Sequence, residues 1–125
     1  MCGRRSETAY VADMVQACER ILVFASGVSD DELMRHDRPI RGAVLHELIV
    51  LGEAAKHVDE RRAARFPDIP WADIAGMRDK LVHYYHGVDE VLVLSAVRSS
   101  VPTILPLLRA MLSEMDAEDQ AEPAP

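Results

Sequence analysis

The sequence predicts an all-α fold: an up-and-down bundle of four main helices plus a short connector helix. Three observations carry this. Apolar residues recur at helical spacing through most of the chain, and no period-two run of useful length interrupts them. Punctuating residues (Gly27, Asp37-Arg-Pro39, the two prolines of Phe66-Pro-Asp-Ile-Pro70, and Gly87) divide the chain into segments of helix length with short loops between them. With 125 residues, 49% of them hydrophobic, one domain over residues 6–115 can bury a core without metal or disulfide staples.

The first helix is expected over residues 6–26. Tyr10, Met14, Cys18, Ile21 and Ala25 fall on one stripe, Ser6 or Thr8 offers the N-cap and Gly27 the stop. Ser29 and Glu32 have capping-box spacing, so residues 29–36 read as the connector helix. From Ile40 to about Arg65 runs the longest uninterrupted helical pattern. Its apolar arc is wider than one partner helix needs, so it is either central in the bundle or also faces a second subunit. Gly52 within it costs about 1 kcal/mol relative to Ala, a cost that close approach of another helix would justify. Arg61, Arg62 and Arg65 at its end suit the negative pole of the helix dipole; a phosphate-facing patch is the other reading. The next helix starts at Trp71 and stops at Gly87. The last starts at Asp89 as N-cap and runs to about Met115, with a kink or break near Pro102 and a second half packed as a separate segment. Residues 116–125, acidic and without large apolar side chains, read as a disordered tail.

The net charge of −7 argues against a general nucleic-acid binder, which needs a basic face, and leaves room for a small, locally basic site. The first residues lack the apolar segment of a signal peptide and no apolar run near membrane-spanning length stands out, so a cytoplasmic protein with no membrane association is expected. Cys18 reads as a core residue and Cys2 as a loose thiol, not as a disulfide.

Chemistry concentrates in Trp71–Asp89. The nine positions from Arg78 to His86 hold an arginine, an acid, two histidines and two tyrosines. On a helix, Ile74, Met77, Leu81 and Tyr84 form the core row, and Ala75, Arg78, Val82 and Tyr85 the row beside it. Tyr84 is therefore the packing tyrosine and Tyr85 the functional candidate. Asp79 and His83, at i and i+4, can pair so that the carboxylate favours the charged imidazole. Arg78 neutralises phosphate oxygens and His83 moves protons, a set that fits metal-free attack of an RNA 2′-OH on the adjacent phosphate. No metal cage is legible and no cofactor is expected. Five residues separate Arg78 from His83, about 140° around a straight helix, so either the helix bends or a second copy completes the site across a two-fold axis.

Arg78-Asp-Lys-Leu-Val-His83-Tyr-Tyr85 resembles the Arg-x4-His-x-Tyr motif of the HepT family, toxins within the HEPN superfamily. The flanks Ile69-Pro-Trp-Ala-Asp-Ile-Ala-Gly-Met77 and Gly87-Val-Asp89 are similar too, as are Leu51-Gly-Glu-Ala-Ala-Lys56 and the Tyr10–Arg20 pattern; the likeness spans residues 8–112. The resemblance implies a HEPN-like homodimer with Arg78 and His83 of both chains in a shared cleft. It implies a metal-independent endoribonuclease that acts as the toxin of a type VII toxin–antitoxin pair. The implied partner is a MntA-like nucleotidyltransferase antitoxin that transfers AMP from ATP to Tyr85. Asp79 takes an orienting role, and Glu53 of the middle helix is placed in the same cleft. RNA, not DNA, is the expected substrate. A non-catalytic HEPN module that only binds a nucleotidyltransferase is the alternative, and a bundle with no site at all is the plainest reading.

Overall fold

A computed structural model describes residues 5–83 and 87–121. Among them all regular structure is helical: α1 Glu7–Ala25, α2 Asp30–Leu33, α3 Pro39–Lys56, α4 Glu60–Ala63, α5 Trp71–His83, α6 Glu90–Ser95 and α7 Val101–Ala121, with a π-helical turn at Ala96–Ser100 between the last two. Helix α3 lies in the middle, with α1 on one side and α5 on another, and α7 packs on the far side of α1. This central position accounts for the wide apolar arc of α3 within one chain. Val44, Leu45, Leu48, Leu51, Ala54 and Ala55 are all buried.

The caps follow from local chemistry. The Ser6 hydroxyl accepts from the Ala9 N–H at 3.1 Å, Ser29 from Glu32 at 3.2 Å, and the Asp89 carboxylate from Leu92 at 3.2 Å, each satisfying a donor at a helix start. After α1 the chain turns through Gly27, at φ 73°, a conformation that glycine adopts without a Cβ penalty. Cys18 is fully buried, and desolvation pushes its thiol up to about 12, as suits a small core residue. Cys2 lies outside the described residues.

Four expectations are corrected. The middle helix does not continue to Arg65. It ends at Lys56, and Asp59 caps a new turn, α4, by accepting from the Arg61 N–H at 2.8 Å. The pattern runs on past the break because Val58 and Ala63 still pack against the core; the aspartate cap marks where the helix stops. Arg62 and Arg65 therefore serve neither the dipole of a long helix nor a phosphate patch. Arg62 pairs with Glu118 at 2.6 Å, and Arg65 with Glu118 at 3.1 Å and Glu114 at 3.3 Å. Those acids belong to α7, which runs past Met115 to Ala121. Met115 is the last core residue. Beyond it the helix is tied down by these ion pairs and by the Thr8 hydroxyl donating to Asp119 at 2.7 Å, contacts that apolar content does not register.

The chain does not break at Pro102. The π turn Ala96–Ser100 leads straight into α7, so Glu90–Ala121 runs as one helix with Pro102 in the first turn of α7, and the Thr103 hydroxyl donates to the Ser99 carbonyl at 2.8 Å. The resulting helix, Glu90–Ala121, contains an 18-residue window whose mean hydropathy of 1.7 is that of a membrane span, a run that the pattern of interrupting polar residues hides. In this fold its apolar stripe, from Val93 to Met115, faces the core.

The π turn also aims Arg98. Its guanidinium donates to the Ala25 carbonyl at 3.0 Å, to the Val28 carbonyl and to Asp30 at 3.0 Å, and so caps the C-terminal end of α1 from across the bundle. Arg98→Met keeps the stem and removes these bonds. It is expected to lower the unfolding free energy by about 1–3 kcal/mol, measured by urea denaturation.

Candidate active site on the fifth helix

The loop before α5 sets where that helix begins. Phe66-Pro-Asp-Ile-Pro70 folds back on itself, and the Trp71 indole N–H donates to the Phe66 carbonyl at 3.1 Å. From there Ile74 and Leu81 are buried and Met77 packs against the core, as their row predicts. The neighbouring row crosses α3 at Gly52. A Cβ built at Gly52 would overlap the Cβ of Arg78 and come within 3.0 Å of its Cγ and of the Ile74 carbonyl. Glycine at this position lets the stem of Arg78 lie on the α3 backbone, which is the close approach that the sequence anticipates.

Around that crossing the structure assembles four charged side chains. Arg78 Nε lies 3.1 Å from Glu53 Oε2, and Arg78 Nη1 donates to Asp79 Oδ1 at 3.1 Å. Lys56 Nζ donates to the same Asp79 oxygen. The Nε–Glu53 contact is an ion pair whose N–H is not aligned into a hydrogen bond. Asp79 sits well below the usual carboxylate range, first through the Lys56 hydrogen bond and then through that of Arg78. Two cations and two anions make a neutral quartet that holds a half-buried guanidinium in place. An incoming phosphate finds a positioned arginine and competes with carboxylates for it.

Of the expected site residues, Arg78, Asp79 and Glu53 therefore come together. His83 is the last described residue of α5 and is exposed. Arg78 and His83 both lie within the helix Trp71–His83, and five residues of α-helix separate their directions by about 140°. Tyr84 and Tyr85, and with them the packing and functional roles assigned to the two tyrosines, lie outside the described residues; the expected stop at Gly87 follows directly on them. Lys56 was missed as a site residue. Its signal was present: Glu53 and Lys56 fall on the same arc of α3 as Gly52, and a glycine inside a helix marks the arc that another helix touches. Among the described residues no three His, Cys, Asp or Glu side chains converge as a metal-binding group.

An α-helical bundle whose central crossing presents a braced arginine, with a histidine five residues on, has the form of a HEPN-type ribonuclease domain. The chain belongs to the HepT-like family: the family model described as "Ribonuclease HepT-like" matches residues 14–111. A Thermococcus cleftensis protein named "Probable ribonuclease HepT" is 33% identical over 101 residues, covering 81% of this chain and 91% of that protein. MJ0127 of Methanocaldococcus jannaschii, named as a candidate RNase, is 27% identical over 117 residues, covering 94% of this chain and 96% of that protein. No solved structure gives a significant match.

Two outcomes follow from the geometry. Gly52→Ala overpacks the α3–α5 crossing. It is expected to cost about 1–3 kcal/mol despite the better helix propensity of alanine, and to displace Arg78; thermal melting reads the first effect. The second concerns acid. Because the carboxyl of Asp79 is depressed in the folded state, its stabilising contribution is present above the unfolded value of about 3.9 and is lost as pH falls through the lower folded value. Asp79→Asn should therefore melt at a lower temperature than wild type near neutral pH, and the difference should shrink as acid protonates Asp79 in the folded protein.

Proposed function

We propose that this protein is a metal-independent endoribonuclease of the HepT type that cleaves cellular RNA and acts as the toxin of a toxin–antitoxin pair. The observation that carries the reading is Arg78 held over Gly52 by Glu53 and Asp79, on the helix that also carries the motif histidine, in a chain of the HepT-like ribonuclease family. The names of the relatives support the same reaction class.

In the proposed reaction the guanidinium of Arg78 neutralises a non-bridging oxygen of the scissile phosphate. His83 takes the proton of the adjacent 2′-OH as that oxygen attacks phosphorus. The bond to the 5′-oxygen breaks, a 2′,3′-cyclic phosphate forms, and the leaving oxygen collects a proton. Glu53 and Asp79 orient Arg78 and do not touch the substrate. Since Arg78 and His83 face apart on α5, a homodimer in which the arginine of one protomer meets the histidine of its partner supplies both groups to one phosphate. Exposed Val82 lies on the Arg78 row and gives that interface an apolar contact.

Regulation belongs to the same proposal. A MntA-like nucleotidyltransferase antitoxin transfers AMP from ATP to the Tyr85 hydroxyl: a Tyr–O–P bond forms and pyrophosphate leaves. The resulting phosphodiester anion, carried by the motif tyrosine, competes with the substrate phosphate for Arg78. Action in the cytoplasm, away from membranes, is part of this reading. The net charge of −7 and the carboxylates on Arg78 favour a second reading, a module that binds the nucleotidyltransferase without cutting RNA.

Purified wild type, shown by intact mass to lack AMP, is expected to degrade RNA in EDTA. Arg78→Ala and His83→Ala are each expected to lose at least about a hundredfold in rate while keeping the wild-type circular dichroism. RNA left intact by the unmodified wild type would overturn the ribonuclease reading in favour of the binding module. Co-expression with a nucleotidyltransferase antitoxin is expected to add the mass of one AMP, and Tyr85→Phe to abolish that addition.

A further inference from the structure

Where α3 ends, His57 turns out of the helix line and stacks on Tyr10 of α1. The ring centroids are 4.4 Å apart and the planes 7° from parallel. The guanidinium of Arg5 lies over the Tyr10 ring, 5.5 Å from its centroid. These side chains line a polar surface cleft together with Lys56, Val58 and the carboxylates of Glu7 and Asp59. Tyr10 packs against the core along one edge, whereas the His57 side chain is 48% exposed. A parallel pair of rings at a surface, with two cations at hand, makes a platform on which a further flat ring can stack.

The cleft joins the candidate active site directly. Glu53 Oε2 meets Arg78 Nε, and Glu53 Oε1 lies 3.5 Å from His57 Nε2, so the catalytic arginine and the platform share one carboxylate. Lys56 lines the cleft and also bonds Asp79, which holds Arg78. A chain with one phosphate at Arg78 thus has its neighbouring nucleotide within reach of the rings.

We propose that this cleft is a subsite for one nucleotide of single-stranded RNA, its base stacked on the His57–Tyr10 pair and its phosphate held by Lys56 and Arg5. The inference rests on the ribonuclease reading and adds how that site holds its strand. Single-stranded RNA is bound by aromatic stacking, with cations along the backbone, and stacking tolerates any base. Both cations begin with carboxylate partners, Lys56 with Asp79 and Arg5 with Asp13 at 2.7 Å. Binding exchanges one anion for another and therefore has a shallow salt dependence. An acidic protein can bind RNA in this way through one local site.

The test uses the full chain and a short fluorescent RNA with 2′-O-methyl sugars, which cannot undergo 2′-OH attack. His57→Ala should weaken binding about tenfold, the scale of one lost base stack, and His57→Phe should restore it. An abasic nucleotide moved along the RNA should weaken wild-type binding at one position, and His57→Ala should be indifferent at that position. This second readout separates stacking from any displacement of Arg78 through Glu53. His57→Leu keeps apolar bulk without a ring and serves as the loss variant if His57→Ala melts early. Equal affinity of His57→Ala and wild type, or an abasic loss that persists in His57→Ala, overturns the subsite while cleavage of natural RNA by wild type leaves the ribonuclease reading standing. If wild type neither binds nor cleaves RNA, both fall.

Discussion

The structure turns on one close contact, the stem of Arg78 lying on Gly52. Two helices come this near only where one lacks a side chain, and here the missing side chain is what admits the arginine. The crossing fixes α5 against α3 and places Ile74 and Leu81 in the core. It also sets the guanidinium beside Glu53 and Asp79 rather than in open solvent. Packing and chemistry are the same event at this point. A change that loosens the crossing loosens the arginine.

The charges around Arg78 make sense in that light. An isolated, partly buried guanidinium pays a desolvation penalty and samples many rotamers. Two carboxylates offset the first and restrict the second, and Lys56 keeps the group neutral. A positioned cation of this kind suits the charge that develops on phosphate in a ribonucleolytic transition state, where stabilisation comes from groups already in place. The arrangement also explains how a HepT-like family member can carry a net charge of −7. The Arg78 guanidinium is held at one crossing by its own carboxylate partners and does not require a basic face around it.

The break after Lys56 organises the rest of the surface. A continuous helix would have carried His57 and the arginines of α4 away along one axis. The break instead sets His57 on Tyr10 and turns Arg62 and Arg65 toward the acids of α7. The acidic end of the chain is therefore part of the fold as far as Ala121, holding α4 to the bundle, and Arg98 performs a similar long-range service at the end of α1.

By itself the sequence determined the helical class, the caps at Ser6, Ser29 and Asp89, the core row of α5, the glycine that announces a close crossing, and the motif that marks the family. Each of these depends on residues within a turn or two of one another, where spacing is geometry. Only the tertiary structure decided that α3 stops at Lys56, that α7 continues to Ala121, and that the π turn absorbs Pro102. It alone joined Lys56 to Asp79 and Glu53 to Arg78, and set His57 on Tyr10. The partners in these contacts lie far apart in the chain or on different helices. The energy that selects them is released only when the helices are already packed, so no local pattern records it.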